Sequence, residues 1–334
     1  MKTIRLLFLA ALAVAAVSSC EILGIDDLGS DGGDAPKGAV NGLFPINSSG
    51  SQVYFSKGNL QYQASSDTWR FAEHQWDYVG GSRRYDETVK NGTVSGSDNC
   101  KIGANYSGWI DLFGWGTSGW ASGAKCSMPY DADRDADSYV VGDSMNNSLT
   151  GNYANADWGV NNAISNGGNK AGLWRTLTSA EWEYVLNKRS GDRFAKATVN
   201  SIPGLILLPD GWDSSVHEFK WPGRAGENWN SNVIDKSLWE NTLEPAGAVF
   251  LPAAGVRHTY YSQKGDGWVL SVTDDATYKS PQCYYWSTTS DPGNFPTLRH
   301  ALCMTASSSS VSGNYTYDYN RANGMSVRLV YDVK

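Results

Sequence analysis

Four aspartates alternate along one short stretch, Asp131, Asp133, Asp135 and Asp137. A loop carrying several carboxylates can wrap a hard cation such as calcium. The spacing is not that of an EF-hand: counted from Asp131, the sixth position is Ala136 instead of glycine and the twelfth is Gly142 instead of glutamate. A structural calcium and a solvated acidic loop are the two readings of this stretch, and no other cofactor is expected. Covalent or acid–base chemistry is harder to assemble. Glu181 and Glu183 lie two apart on an expected helix, where side chains diverge. His74, His217, His258 and His300 are scattered, and no G-x-S-x-G elbow, H-E-x-x-H pair or P-loop occurs. The residues therefore predict no catalytic constellation. Beyond Cys20, the cysteines Cys100, Cys126, Cys283 and Cys303 could form two disulfides in three connectivities. The locally simplest is Cys100–Cys126 with Cys283–Cys303.

Recognition without reaction is the better reading of residues 291–323. Asn294, Phe295, Thr297, Arg299, Ser307, Ser310, Ser312, Asn314, Tyr315, Tyr317, Asp318, Tyr319 and Asn320 fall within it. Tyrosine offers rigid amphipathic area, while serine and asparagine offer adaptable hydrogen bonding, the composition of antibody paratopes. A merely polar connection between two strands is the alternative; loops held by a rigid scaffold are where binding usually resides.

The elements that would hold this stretch are readable in part. Val53 to Tyr62 reads as a β-hairpin turning at Lys57-Gly58-Asn59, and a strand from Trp69 follows the turn-like Ser65-Ser66-Asp67. Residues 80–153 read as long ordered loops, except for the aromatic-dense, buried-looking Gly108 to Gly116. Thr178-Ser179-Ala180-Glu181 fits a helix capping box, with Leu177 and Trp182 as its hydrophobic staple. A second helix is expected over Lys236 to Leu243. Strands are expected at Leu205 to Leu208, Ala248 to Leu251, Tyr284 to Trp286 and Met325 to Val330.

The chain opens with Lys2 and Arg5, then an apolar run from Leu6 to Val17. That run suits a secretory signal and falls short of the roughly 20 residues a membrane-spanning helix needs. Val17-Ser18-Ser19-Cys20 resembles the bacterial lipobox, so residues 1–19 are expected to be a signal peptide and Cys20 the lipidated residue. Residues 20–41, with Asp26, Asp27, Asp31 and Asp34, read as an acidic flexible spacer, and residues 42–334 as one domain. Together these predict an outer-membrane lipoprotein, exposed on the cell surface and attached to the membrane through lipid alone. The chain carries 36 Gly, 14 Trp and 18 Tyr with a net charge of −7. That composition favours a loop-rich fold with stacked rings and argues against a nucleic-acid partner, which would need a basic face.

Leu173 to Trp182, reading LWRTLTSAEW, resembles a signature of C-type-lectin-like proteins related to formylglycine-generating enzyme. Tyr285-Trp286-Ser287-Thr288-Thr289 and Gly324 to Val330 resemble the ending of that fold. Val53 to Gly80 is similar to the Fib-succ major paralogous domain family of Bacteroidota surface lipoproteins. The resemblance implies an α+β, C-type-lectin-like fold with small antiparallel sheets, two helices and long ordered loops, both chain ends meeting in one sheet. It implies that Trp174, Trp182 and Trp286 are core residues and that Arg175 and Arg328 pair with carboxylates or carbonyls. The reactive cysteine pair of the enzymes is not matched, because Cys283 and Cys303 are spaced differently around Trp286. Some such lipoproteins are targets of diversity-generating retroelements acting on this C-terminal window, which would make Cys303 a varied position. The expected function is binding of an unknown glycan or protein ligand; an enzyme acting on carbohydrate or protein, and a structural subunit of a surface appendage, are the alternatives.

Overall fold

In a computed structural model of the chain, residues 35–79, 103–130, 136–191, 193–220, 228–262, 267–273, 281–291, 300–315 and 320–334 are described. The strands run in chain order as β1 (Ala39–Pro45), β2 (Gln52–Ser56), β3 (Leu60–Gln63), β4 (Thr68–Phe71), β5 (Arg175–Thr176), β6 (Phe194–Val199), β7 (Ile202–Leu207) and β8 (Val233–Ile234). They continue as β9 (Val249–Pro252), β10 (Val256–Ser262), β11 (Gly267–Thr273), β12 (Cys283–Asp291), β13 (His300–Ala306), β14 (Val311–Tyr315) and β15 (Leu329–Asp332). The helices are short: α1 (Trp158–Asn161), α2 (Ser179–Glu183) and α3 (Lys236–Leu238), the last two each continued by a π turn. This is an α+β arrangement of small, mostly antiparallel sheets with few helices; β6 and β8 are a parallel pair.

The first and last strands share a sheet ordered β1-β2-β15-β5. Val53, Phe55 and Val330 are fully buried in it, and they pack with Trp182, Val185 and Tyr285 in one core cluster. β1 begins at Ala39, inside the stretch expected to be spacer, because Ala39 and Val40 are apolar enough to be buried there. A second sheet, β8-β6-β7-β9, is covered on both faces. Leu205, Leu207 and Leu251 face the cluster around Trp182, while Ala197, Ile206 and Phe250 face Trp239 and Leu243. The β6–β7 hairpin closes through Asn200 and Ser201, both at positive φ, the two-residue turn whose twist matches its strands.

The hairpin expected over Val53 to Tyr62 does not form. β2 pairs with β1 and β15, and β3 pairs with β4, so the two halves belong to different sheets. Gly58 is there for close approach: a Cβ on it would lie 2.5 Å from the Ala72 carbonyl oxygen. Asn59 is buried, donating to the Tyr285 hydroxyl (3.1 Å) and accepting from Arg328 (3.3 Å). The β3–β4 hairpin forms as expected around Ser65-Ser66-Asp67, with the Tyr62 hydroxyl donating to Asp67.

The capping box is present: Thr178 Oγ1 accepts from the Glu181 N–H, and the Glu181 carboxylate accepts from the Thr178 N–H. Arg175, in β5, pairs with Glu181 (2.9 Å) and with Asp332 of the last strand (2.7 Å). Arg328 is buried and donates to the amide oxygens of Asn59 and Gln75. Burial pushes its pKa down to about 10, outweighing the opposing pull of Tyr285 and Glu244. Asp157 is fully buried and pins two elements at once, accepting from Gly159 at the start of α1 and from Thr176 of β5. Its desolvation pushes the carboxyl up to about 6.

Candidate functional site

The Tyr-, Ser- and Asn-rich stretch is carried by the sheet β12-β13-β14. Its central strands are tied down by tryptophans. Trp286 Nε1 donates to the Phe113 carbonyl (2.7 Å), Trp115 Nε1 to the Ser287 carbonyl (2.9 Å) and Trp182 Nε1 to the Trp286 carbonyl (3.4 Å). Trp174, Trp182 and Trp286 are all buried, as core residues should be. The aromatic-dense Gly108 to Gly116 is likewise inside, with Ile110, Leu112, Phe113 and Trp115 buried.

The register divides the predicted site residues between the two ends of this sheet. At one end Ala306 pairs with Val311, and Ser307 to Ser310 form the connection between β13 and β14. The turn largely satisfies itself. Ser307 Oγ accepts from the N–H groups of Ser309 (3.2 Å) and Ser310 (3.1 Å) and lies 3.0 Å from the Ser310 hydroxyl. Lys196 of β6, its amine almost wholly buried, donates to the Ser308 carbonyl (3.0 Å). Ser312, the second residue of the return strand, pairs with Thr305, and Gly313 rests directly on the α2 backbone at Glu183.

At the other end Asp291 pairs with His300, and His300 bridges to Asn320. From His300 to Ala306 is six strand steps, about 20 Å at 3.3 Å per residue. Residues 292–299 are flanked by Asp291 and His300, which pair at this edge, while 316–319 are flanked by Tyr315, opposite Cys303 midway along the strand, and by Asn320 at the edge. Asn294, Phe295, Thr297, Arg299, Tyr317, Asp318 and Tyr319 lie outside the described residues, while Asn314 and Tyr315 supply the backbone of β14 leading there. Asn320 accepts from the Ala322 N–H through its side chain, a local turn. Arg321, fully buried, locks this edge: it donates to the carbonyls of His300 (2.9 Å) and Met145 (2.6 Å) and stacks over Trp115 at 4.3 Å. Ser290 adds two bonds to the 146–148 strip, its N–H donating to Ser148 Oγ (3.1 Å) and its hydroxyl to the Asn146 carbonyl (2.9 Å). Nothing in the local composition announced Arg321 or Ser290 as the residues that brace this edge.

The Cys283–Cys303 disulfide is overturned. Cys283 faces Ala306 and Cys303 faces Trp286 in the β12–β13 register, three steps apart, so the two thiols project from opposite sides of the sheet into different clusters. Cys283 Sγ instead donates to the Leu251 carbonyl (3.4 Å). Burial pushes both thiols up, which makes them poor nucleophiles. Cys126 is buried, and Cys100 lies outside the described residues, as does Cys20.

Of the acidic cluster, Asp131, Asp133 and Asp135 lie outside the described residues; Asp137 is exposed on the rim of a cleft. Among the described residues, no group of three or more His, Cys, Asp or Glu side chains is arranged to hold a metal ion. His74 stacks on Trp76 and hydrogen-bonds Asp77 (2.9 Å), tying the chain after β4 to the helix that bears Glu240. Among the described residues no helix is long and apolar enough to cross a membrane. No protein-family model, curated protein or solved structure matches the chain.

Proposed function

We propose that this chain is a surface-displayed lipoprotein of the outer membrane, lipidated at Cys20, whose C-type-lectin-like domain binds a glycan or protein ligand without chemistry. The binding face is the Asp291/His300/Asn320 edge of the three-stranded sheet. One observation carries the reading: the two segments that contain most of the paratope-like residues are flanked by Asp291, His300 and Asn320, which meet at one strongly braced edge. The edge itself, held by Arg321 and Ser290, needs little further ordering on binding, which is how a preorganised surface gains affinity. The lectin-like fold is supported by the shared sheet of the chain ends, the capped helix after Trp174-Arg175 and the buried tryptophans of the matching motifs.

The test is an array of glycans and extracellular proteins probed with the full chain. Hits are expected to vanish when Tyr315, Tyr317 and Tyr319 are changed together to Ala, with the unfolding midpoint retained. Binding that survives the triple change moves the site elsewhere. Protease shaving of intact cells checks the display: release of the domain is expected, and full protection would defeat an outward-facing role.

A further inference from the structure

A cleft of about 670 Å³ opens beside the braced edge, in loops of which only Asp137 stood out in the sequence. Among the described residues its polar lining consists of Lys125, Ser127, Asp137, Asp143 and Ser144. Lys125, Asp137 and Asp143 are exposed, and neither Lys125 nor Asp143 makes an ion pair among the described residues. The rest of the lining is mostly Ala and Gly, so the cleft is roomy and its polar groups stand forward. Two rings back it. A Cβ on Gly142 would lie 2.5 Å from the Tyr153 ring, and one on Gly123 would lie 3.5 Å from the Trp120 ring. Trp120 and Tyr153 in turn meet edge to face at 6.5 Å. The wall is not a loose flap: Met145 lines the cleft, and its carbonyl accepts the bond from buried Arg321.

The chemistry of the lining selects the ligand. An anion meets two carboxylates against one ammonium. An apolar molecule would strip water from three charged groups without replacing its hydrogen bonds, which is costly. A bare metal ion needs several oxygens converging on one point, and the described lining offers only the two carboxylates of Asp137 and Asp143. A neutral, hydroxyl-rich molecule fits: its hydroxyls donate to Asp137 and Asp143, its oxygens accept from Lys125, and Ser127 and Ser144 do either. We infer that this cleft is a binding site for a neutral saccharide of two or three units. It is separate from the tyrosine-bearing edge and stands whether or not that edge binds anything.

The full chain is titrated calorimetrically with maltotriose, cellotriose, mannotriose and N-acetyllactosamine, with trigalacturonate as the anionic comparator and a lysine-rich peptide as the cationic one. At least one neutral saccharide is expected to bind, and trigalacturonate to bind more weakly. Asp143→Asn and Lys125→Met should each weaken that binding about tenfold or more, the loss expected when a charged hydrogen-bonding partner is removed. Ala121→Trp, on the exposed rim, should block it by bulk alone. Unchanged unfolding midpoints will show that these surface variants fold. The assignment is overturned if no neutral saccharide binds, if the peptide is the only ligand, or if all three variants bind as the parent does. It is also overturned if saccharide binding falls with the Tyr315, Tyr317 and Tyr319 triple change instead, an outcome that would favour the edge.

Discussion

The two ends of the β12-β13-β14 sheet are built from similar residues and behave as opposites. At the Ser307–Ser310 end, hydroxyls are spent on neighbouring amides, a buried lysine holds a carbonyl, and Gly313 seats the strand on α2. At the Asp291/His300 end the bracing comes from residues outside the turn, with Arg321 and Ser290 bonding to carbonyls of His300, Met145 and Asn146. Serine and asparagine therefore mean different things a few residues apart. Composition marks a stretch as polar; only the register tells which part closes on itself and which part is presented.

The largest expected effect is on the presented end. Arg321→Ala removes a buried guanidinium and leaves the His300 and Met145 carbonyls without that donor, so stability should fall by about 3 kcal/mol or more in urea unfolding. Hydrogen exchange should quicken at His300 and Asn320 before it does at Ala306. Equal quickening at both ends would erase the contrast.

Next in size is a change that should move both ends together. The Asp157 carboxyl is raised from 3.8 to about 6 by burial, so the folded chain binds the proton more tightly than the unfolded one. This contribution is fully present below about pH 4 and is lost as pH rises through about 6, on the order of 3 kcal/mol. Asp157→Asn should remove that slope, measured as the difference in unfolding free energy between parent and variant across this range. A variant that keeps the slope would assign it to other groups.

Smaller effects belong to the self-closed end. Gly313→Ala forces β14 off the α2 backbone and should cost about 1–3 kcal/mol, with ligand binding at the far edge kept. Ser307→Ala removes one acceptor serving two turn amides and should cost about 0.5–1 kcal/mol. If Ser307→Ala abolishes ligand binding in the array, the serine turn is part of the face and the contrast fails.

What was legible in the sequence was local. The Thr178–Glu181 box, its staple and the short strands at Leu205, Ala248 and Tyr284 are set by neighbours within a few residues. What was not legible depended on distant partners. Lys57-Gly58-Asn59 looks like a turn, yet Gly58 is required by Ala72 and Asn59 by Tyr285, contacts far along the chain. Cys283 and Cys303 look close enough to bridge until the β12–β13 register puts them on opposite faces. For the candidate site, the residue types were visible, but the reversal at Ser307 that separates them along the sheet was not. Beyond Asp137 the cleft left no sequence signal, because its lining is dominated by the small residues of ordinary loops.

The sheet that joins the two chain ends also fixes how the domain carries load. β1 and β15 run in the same direction on either side of β2, with Ala39 at one end of the sheet and Asp332 at the other. Traction between the first strand and the last therefore pulls along the strands, and the ladder bonds, lying across them, are strained together instead of parting one after another. A domain pulled in this shearing direction resists extension far better than one unzipped from an edge.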